Sequence, residues 1–563
     1  MRRSRPPGRP LRRSSRPDRL GALVALCVAA ALTLVGVSGC GGAKRPEAGT
    51  ATVLMLTAPD YLDPQLAYGT ESGEADWITY TPLLTYKHAN APDGADLIPG
   101  LAESLPQVSP NGRIYTLRLR PRLVYSNGRP VMASDFTYAV ERAIRLGWGG
   151  SAFLTKFIVG AKPYANGDAS SISGIQADDV SGGITILLRK QFSAFANVLA
   201  FPATAPIPTG TPIHNMTDHP PPGVGAYEIR DVARNGSFNL VRNPRFEALN
   251  LPGIPTGNLA RIMVRVESNP KAAIQQVLSN RADNLDPGTQ APPAVLARFK
   301  SEAPARFGSA PIPSTLYFFL NTTTPPFDGE LARRGVVTAL NRPALARRGG
   351  GLVDPGCYLL PPDIAGHPSD SCPYGDATAD GKLAAGRQLV QESGTAGQSV
   401  TVWGEQSAPG RAYVRYYTRL LNRLGYHAQA NLIPPSNYFR TVGAAATNPQ
   451  TGFADWFNDF PTPSDFYRVM DAGSIRPTHS ANLGRVSDPF VQQQLEKLNL
   501  VPVQDLASTT NGWHDLDEYV ATKAYAAVFG YQELPVLLSD RIDPGSVNLN
   551  PLFLSDWSSW SLR

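Results

Sequence analysis

Polar and apolar side chains alternate along residues 115–120, Tyr-Thr-Leu-Arg-Leu-Arg, the period of two that a strand with one wet face imposes. Leu123, Val124 and Tyr125 follow as the expected partner strand. They run into Ser126-Asn127-Gly128, where Asn-Gly tolerates the positive φ angles of a tight turn. From Ser134 the period lengthens to 3.6, with Phe136, Val140, Ala143 and Ile144 on one face and Ser134 placed to cap the helix. The same alternation of periods recurs along the chain. Residues 53–57, 237–241, 261–266 and 399–403 read as strands. Pro270 opens a helix with Ala273, Ile274, Val277 and Leu278 on one side. Residues 412–424 place Val414, Tyr417, Leu420, Leu421 and Leu424 at helical spacing. Residues 201–222, rich in Pro and Thr and carrying Pro220-Pro221-Pro222, read as a connector. The pattern is mixed α/β, with no repeat of solenoid length.

A chain of 563 residues is long enough for two or three domains, each with its own core. Its formal charge of +6 suggests an acidic partner only until it is located. Eight arginines and one acid fall within the first nineteen residues, which leaves a body near −1 and removes the case for nucleic acid.

That basic cluster precedes an apolar run, residues 20–37, and then Ser38-Gly39-Cys40-Gly41-Gly42. Basic, apolar and small residues in this order make a secretory signal. The other reading is a membrane anchor, because about 18 apolar residues just span a bilayer. Val37-Ser38-Gly39-Cys40 resembles a bacterial lipobox, which implies cleavage before Cys40, a lipid on its thiol and an extracytoplasmic body tethered to the membrane. Residues 1–39 are then the signal peptide and 40–50 the lipidated tether. Cys357 and Cys372 are the remaining cysteines of the body. In an oxidising compartment a disulfide is the expected state and two free thiols the alternative.

Signatures of catalysis are missing. The sequence has no Gly-x-Ser-x-Gly, no His-Glu-x-x-His, no phosphate-cradling Gly-Lys-Ser/Thr loop and no cysteine cluster spaced for zinc. The seven histidines are scattered. No metal and no cofactor is expected, and the chain reads as a binder; an exported hydrolase stays open because triads assemble from distant residues.

Several blocks, in order, resemble the extracytoplasmic solute-binding proteins of peptide and nickel ABC importers, family 5. They are Leu62-Asp63-Pro64, residues 81–84 and 97–104, the stretch from Tyr115 through Phe136, and Gly223-Val224-Gly225-Ala226-Tyr227. Residues 320–327 and 333–342 continue the likeness, with Gly335 and Asn341 departing from the family's usual residues. The resemblance implies an α/β, two-lobe periplasmic-binding-protein-like fold (type II, cluster C), with a subdomain inserted in lobe one and a hinge of two crossings. Lobe one would take residues 51–86, 201–310 and 534–563, the insert 87–200, and lobe two 311–533.

Residues 455–463, Asp-Trp-Phe-Asn-Asp-Phe-Pro-Thr-Pro, are aromatic, acidic and broken by proline, which suits a rigid loop; a plain turn around a packed Trp is the alternative. In peptide-binding members a similar stretch lines the cleft. By that likeness Asp459 pairs with a ligand ammonium, the backbone of Trp456 and Phe457 takes the ligand as an added strand, Asn458 is a further ligand-binding residue, and Tyr68, Gly69 and Thr70 form the opposite wall. The family often has an acid where Thr462 stands. The implied partners are a short peptide, an ABC permease with its ATPase subunits, and the membrane through the lipid on Cys40, with the protein monomeric. A sugar, metal chelate or siderophore is the alternative ligand.

Overall fold

The computed structural model describes residues 49–286, 292–369, 372–501 and 503–563. The leader, Cys40 and most of the tether lie outside the described residues. Two α/β lobes share one long strand, Ala526–Leu538. Its last residues pair with Asn284–Asp286 and Phe307–Pro311, on the sheet that continues through Thr50–Met55 and Arg261–Val266 to Phe238–Arg242 and Tyr227–Arg230. Its first residues pair with Ser314–Leu320, on the sheet that continues through Thr451–Phe457 and Ser399–Glu405 to His427–Ile433. The chain therefore passes between the lobes twice and side by side, at residues 311–314 and along 530–534. A four-stranded sheet, Gln107–Val108, Ile114–Arg118, Gly183–Leu187 and Ile175–Asp178, packs with the helix Ala133–Leu146 beside the first lobe.

Most elements follow the periodicity. The strand Arg261–Val266 and the helices Pro270–Leu278 and Ala408–Leu424 form where the pattern places them, the helices capped by Asn269 and Ser407. Two local expectations are corrected. Ser134 is not the cap: the helix begins at Ala133, and the Asp135 carboxylate accepts the Met132 N–H at 3.0 Å, while the Ser134 hydroxyl donates to Asp179. Asp135 wins because one of its oxygens also accepts from Tyr125 at 2.8 Å and the other from Thr209 at 2.7 Å, which fixes the carboxylate over the helix start. Leu123, Val124 and Tyr125 form no strand with residues 114–118; that strand pairs with Gly183–Leu187 and Gln107–Val108 instead, and only Val124 bridges to Pro130.

Burial explains several blocks of the sequence. A Cβ at Gly225 would lie 2.4 Å from the Thr79 carbonyl, and one at Gly223 2.3 Å from the same oxygen, so the two glycines admit a backbone rather than a nucleotide. Gly335 and Gly386 allow the helices Glu330–Ala339 and Leu383–Glu392 to touch, since a Cβ at Gly335 would stand 2.9 Å from the Gly386 carbonyl. Asn341, the other departure, caps the helix Arg342–Ala346. Cys357 and Cys372 are bonded as a disulfide.

Candidate functional site

The strand Thr451–Phe457 pairs with Ser314–Leu320 along its whole length, whereas on its other edge Ser399–Glu405 meets only Thr451 and Gly452. Asp455, Trp456 and Phe457 are therefore strand, not loop as the sequence suggested; the irregular turn starts at Asn458. The aromatic residues hold the strand from both sides, Trp456 against the second lobe's core and Phe457 against the cluster at the crossings. Asn458 donates its N–H to the Pro313 carbonyl, so in an antiparallel ladder Trp456 and Ala454 also face that partner. The backbones of Phe453, Asp455 and Phe457 then turn to the other edge. The Tyr438 hydroxyl takes the Phe453 carbonyl at 2.6 Å; beyond it, among the described residues, no strand covers the edge.

Asp459 follows in the turn with a side chain 14% exposed. The structure gives this carboxylate two partners within the protein. Arg468 Nη1 approaches one oxygen at 2.5 Å, and the Tyr68 hydroxyl donates to the other at 2.7 Å. Tyr68 comes from the first lobe, so this bond crosses the cleft. Asp465 supports the turn from beneath, accepting the Asp459 N–H at 2.7 Å and the Trp456 indole N–H at 3.0 Å. Burial raises the Asp459 pKa, and the Arg468 guanidinium opposes that rise. Burial also raises Asp465 well above the usual carboxylate range, with the Asp459 charge adding to it.

Tyr68 keeps 43% of its surface exposed. Its ring packs edge-on against Trp148, whose indole N–H holds the Ala67 carbonyl. Gly69 and Thr70 play a supporting part. The Tyr68 and Gly69 N–H groups both donate to the Asp60 carboxylate at 3.1 Å, and Thr70 starts the helix Thr70–Trp77. Asn458 has both side-chain polar atoms buried and without a hydrogen-bond partner. An unpaired buried amide costs about 1–3 kcal/mol, which marks a position where a ligand would be stabilising.

Phe460 and Arg468 were not singled out by sequence. Phe460 lies in the turn after the lobe-two strand Thr451–Phe457 but packs into the first lobe's core against Phe153, with ring centroids 5.5 Å apart. Arg468 stacks over the Phe153 and Trp456 rings. Nothing local distinguishes either from an ordinary core or surface residue, because the contacts with Phe153 are made across the cleft. Deeper toward the crossings Asp455 faces a cavity of about 40 Å3 that Glu405, Gln532 and Pro535 also line. Burial, and then the Glu405 charge, push the Asp455 pKa up to about 7.

The matches to known proteins agree with this geometry. Residues 96–476 match the family described as bacterial extracellular solute-binding proteins, family 5 Middle. The glutathione-binding protein GsiB of Escherichia coli K12 is 28% identical over 335 residues, 58% of this chain and 60% of that protein, so the match spans less than two thirds of that relative's length. The clavulanic acid biosynthesis oligopeptide binding protein 2 superposes with a TM-score of 0.83 at 22% identity, over 92% of this chain and 95% of that one. The Helicobacter pylori periplasmic binding protein DppA, solved with the peptide STSA, superposes with a TM-score of 0.71 at 17% identity, over 92% of this chain and 98% of that one. These solved structures share the fold described above, and with the family match spanning most of its length the chain belongs to the bacterial extracellular solute-binding proteins, family 5.

Proposed function

We propose that this chain is the capture component of an ABC importer for short peptides, tethered outside the cell by a lipid on Cys40 and delivering its ligand to a permease. The division proposed for it keeps the boundaries read from the sequence, with residues 311–533 moving as lobe two. The observation that carries the reading is the uncovered edge of Thr451–Phe457, ending beside an acid that the opposite lobe also reaches. A peptide laid along that edge gains main-chain hydrogen bonds whatever its side chains. Its ammonium meets Asp459, whose two oxygens offer about four acceptor directions, of which Arg468 and Tyr68 use two. The unpartnered Asn458 amide gives the ligand a further polar contact. Relatives named for glutathione and peptides favour this ligand class over sugars and metal chelates.

The test is calorimetry on the mature chain with glutathione and alanyl tripeptides, free or N-acetylated. Binding of the free tripeptides at one per chain, weakened on acetylation by about 1.5–3 kcal/mol for the charge-assisted hydrogen bond that Asp459 loses, is the expected result. Equal affinity for the acetylated forms would remove Asp459 as the ammonium site. A native mass spectrum showing a retained sugar or chelate would replace the peptide, and turnover of the tripeptides would make the protein a hydrolase.

A further inference from the structure

Between the segment around Phe157 and the second lobe lies a cavity of about 310 Å3 whose charges peptide capture at the strand edge leaves unused. Its walls are aromatic. Phe157 and Phe192 stack at 4.2 Å, and Phe460 closes on them from the other lobe, 6.4 Å from the Phe192 ring. Cations stand over these rings: the Lys156 and Lys190 ammonium groups are each 5.7 Å from the Phe157 centroid, and the Arg468 guanidinium is 4.7 Å from that of Phe153. Arg476 also lines the cavity.

Two acids, Asp471 and Glu496, face these four cations. Asp471 is engaged with its own turn, accepting the Gly473 N–H at 2.8 Å. Arg468 is paired with Asp459, while Lys156, Lys190 and Arg476 have no ion-pair partner among the described residues. Lys156 is exposed at the mouth, yet partial burial lowers its pKa; Asp471 works against this, and Lys190, Arg476 and Arg468 add to it. Lys156, Lys190 and Arg476 are exposed, and their positive charge is gathered beside apolar walls. An anion entering would relieve that repulsion and gain charge-assisted hydrogen bonds.

We infer that this cavity is a specificity subsite that receives a side-chain carboxylate carried by the amine-bearing first residue of the captured peptide. The inference rests on the placement of the ligand ammonium at Asp459. Arg468 belongs to both places, binding Asp459 through Nη1 and lining the cavity with the same side chain. A group on the residue that supplies the ammonium is therefore within reach of Arg468, and through the cavity Arg468 lines it is directed toward the lysines. The peptide's far end runs away from them, along the edge toward Asp455.

Calorimetry with Glu-Ala-Ala, Gln-Ala-Ala, Ala-Ala-Ala and Ala-Ala-Glu tests this on the mature protein and on the double variant Lys156→Gln, Lys190→Gln. The expected result is a preference of at least about tenfold for Glu-Ala-Ala over Gln-Ala-Ala, the scale of a charge-assisted contact, falling to about one in the double variant. A wild-type ratio of one, or a preference that survives in the variant, overturns the subsite. Tighter binding of Ala-Ala-Glu than of Glu-Ala-Ala overturns its position at the amine end. Failure of all four peptides to bind would overturn peptide capture and this inference with it, whereas equal binding of the first two removes the inference alone.

Discussion

Asp455 shows how a single residue ties the cleft to stability. Its carboxyl holds a proton up to about pH 7 in the folded chain, because burial and the neighbouring Glu405 disfavour its charge. An unfolded aspartate ionises near pH 3.9. Between these values the folded state binds more protons than the unfolded one, so this residue lowers stability as pH rises from about 4 to about 7. Asp455→Asn removes the titration, and the variant's urea midpoint should decline less across that window than the wild type's. Parallel declines in the two proteins would show that Asp455 ionises as freely folded as unfolded. Asp459 sits four positions on in the same segment, where burial again raises the pKa and the Arg468 guanidinium opposes the rise.

At the scale of elements, sequence periodicity was a good guide wherever an element is amphipathic by itself. The strand Arg261–Val266 and the helix Pro270–Leu278 needed only their own side chains and a capping Asn269. It failed where a distant group decides. Ser134 lost the cap to Asp135 because Tyr125 and Thr209 hold that carboxylate, and Asp455, Trp456 and Phe457 became strand because Ser314–Leu320 lies beside them. The site was legible in part for the same reason. Likeness to a family put Asp459 and Tyr68 on opposite walls, and the structure brings them together, while Phe460 and the Arg468 stack on Phe153 depend on contacts across the cleft. The block Leu62-Asp63-Pro64 has a comparable long-range cause. Asp63 and Arg142, both fully buried, form a two-pronged pair with two contacts of 2.6 Å, and Arg142 also donates to the Gln65 side chain and to the Pro212 and His214 carbonyls. One guanidinium thus joins the helix Ala133–Leu146, the loop before Tyr68 and the connector of residues 201–222. Arg142→Ala leaves Asp63 buried and unpaired, and chemical denaturation should show a loss of about 3–5 kcal/mol. A loss below about 1 kcal/mol would mean that water replaces the guanidinium and that the pair does not hold these three segments together.

The whole molecule turns on how its lobes meet. Among the described residues they are joined by the paired crossings at residues 311–314 and 530–534, a narrow connection that leaves closure to contacts across the cleft. Two such contacts stand out, the Tyr68–Asp459 hydrogen bond and the seating of Phe460 among first-lobe aromatics. A hydrogen bond to a charged group contributes about 1.5–3 kcal/mol, so its loss shifts a closed-to-open ratio by about ten- to a hundredfold. Tyr68→Phe deletes the hydroxyl while keeping the ring against Trp148, and it leaves Asp459 its Arg468 partner. The ligand-free variant should therefore have a larger radius of gyration in solution scattering than the ligand-free wild type. Adding a bound tripeptide should bring the two together, because a ligand that touches both lobes favours the closed form by its differential affinity. Identical scattering of the two ligand-free proteins would show that Phe460 and its neighbours alone hold the lobes, and that the hydroxyl bridge only orients the carboxylate for its ligand.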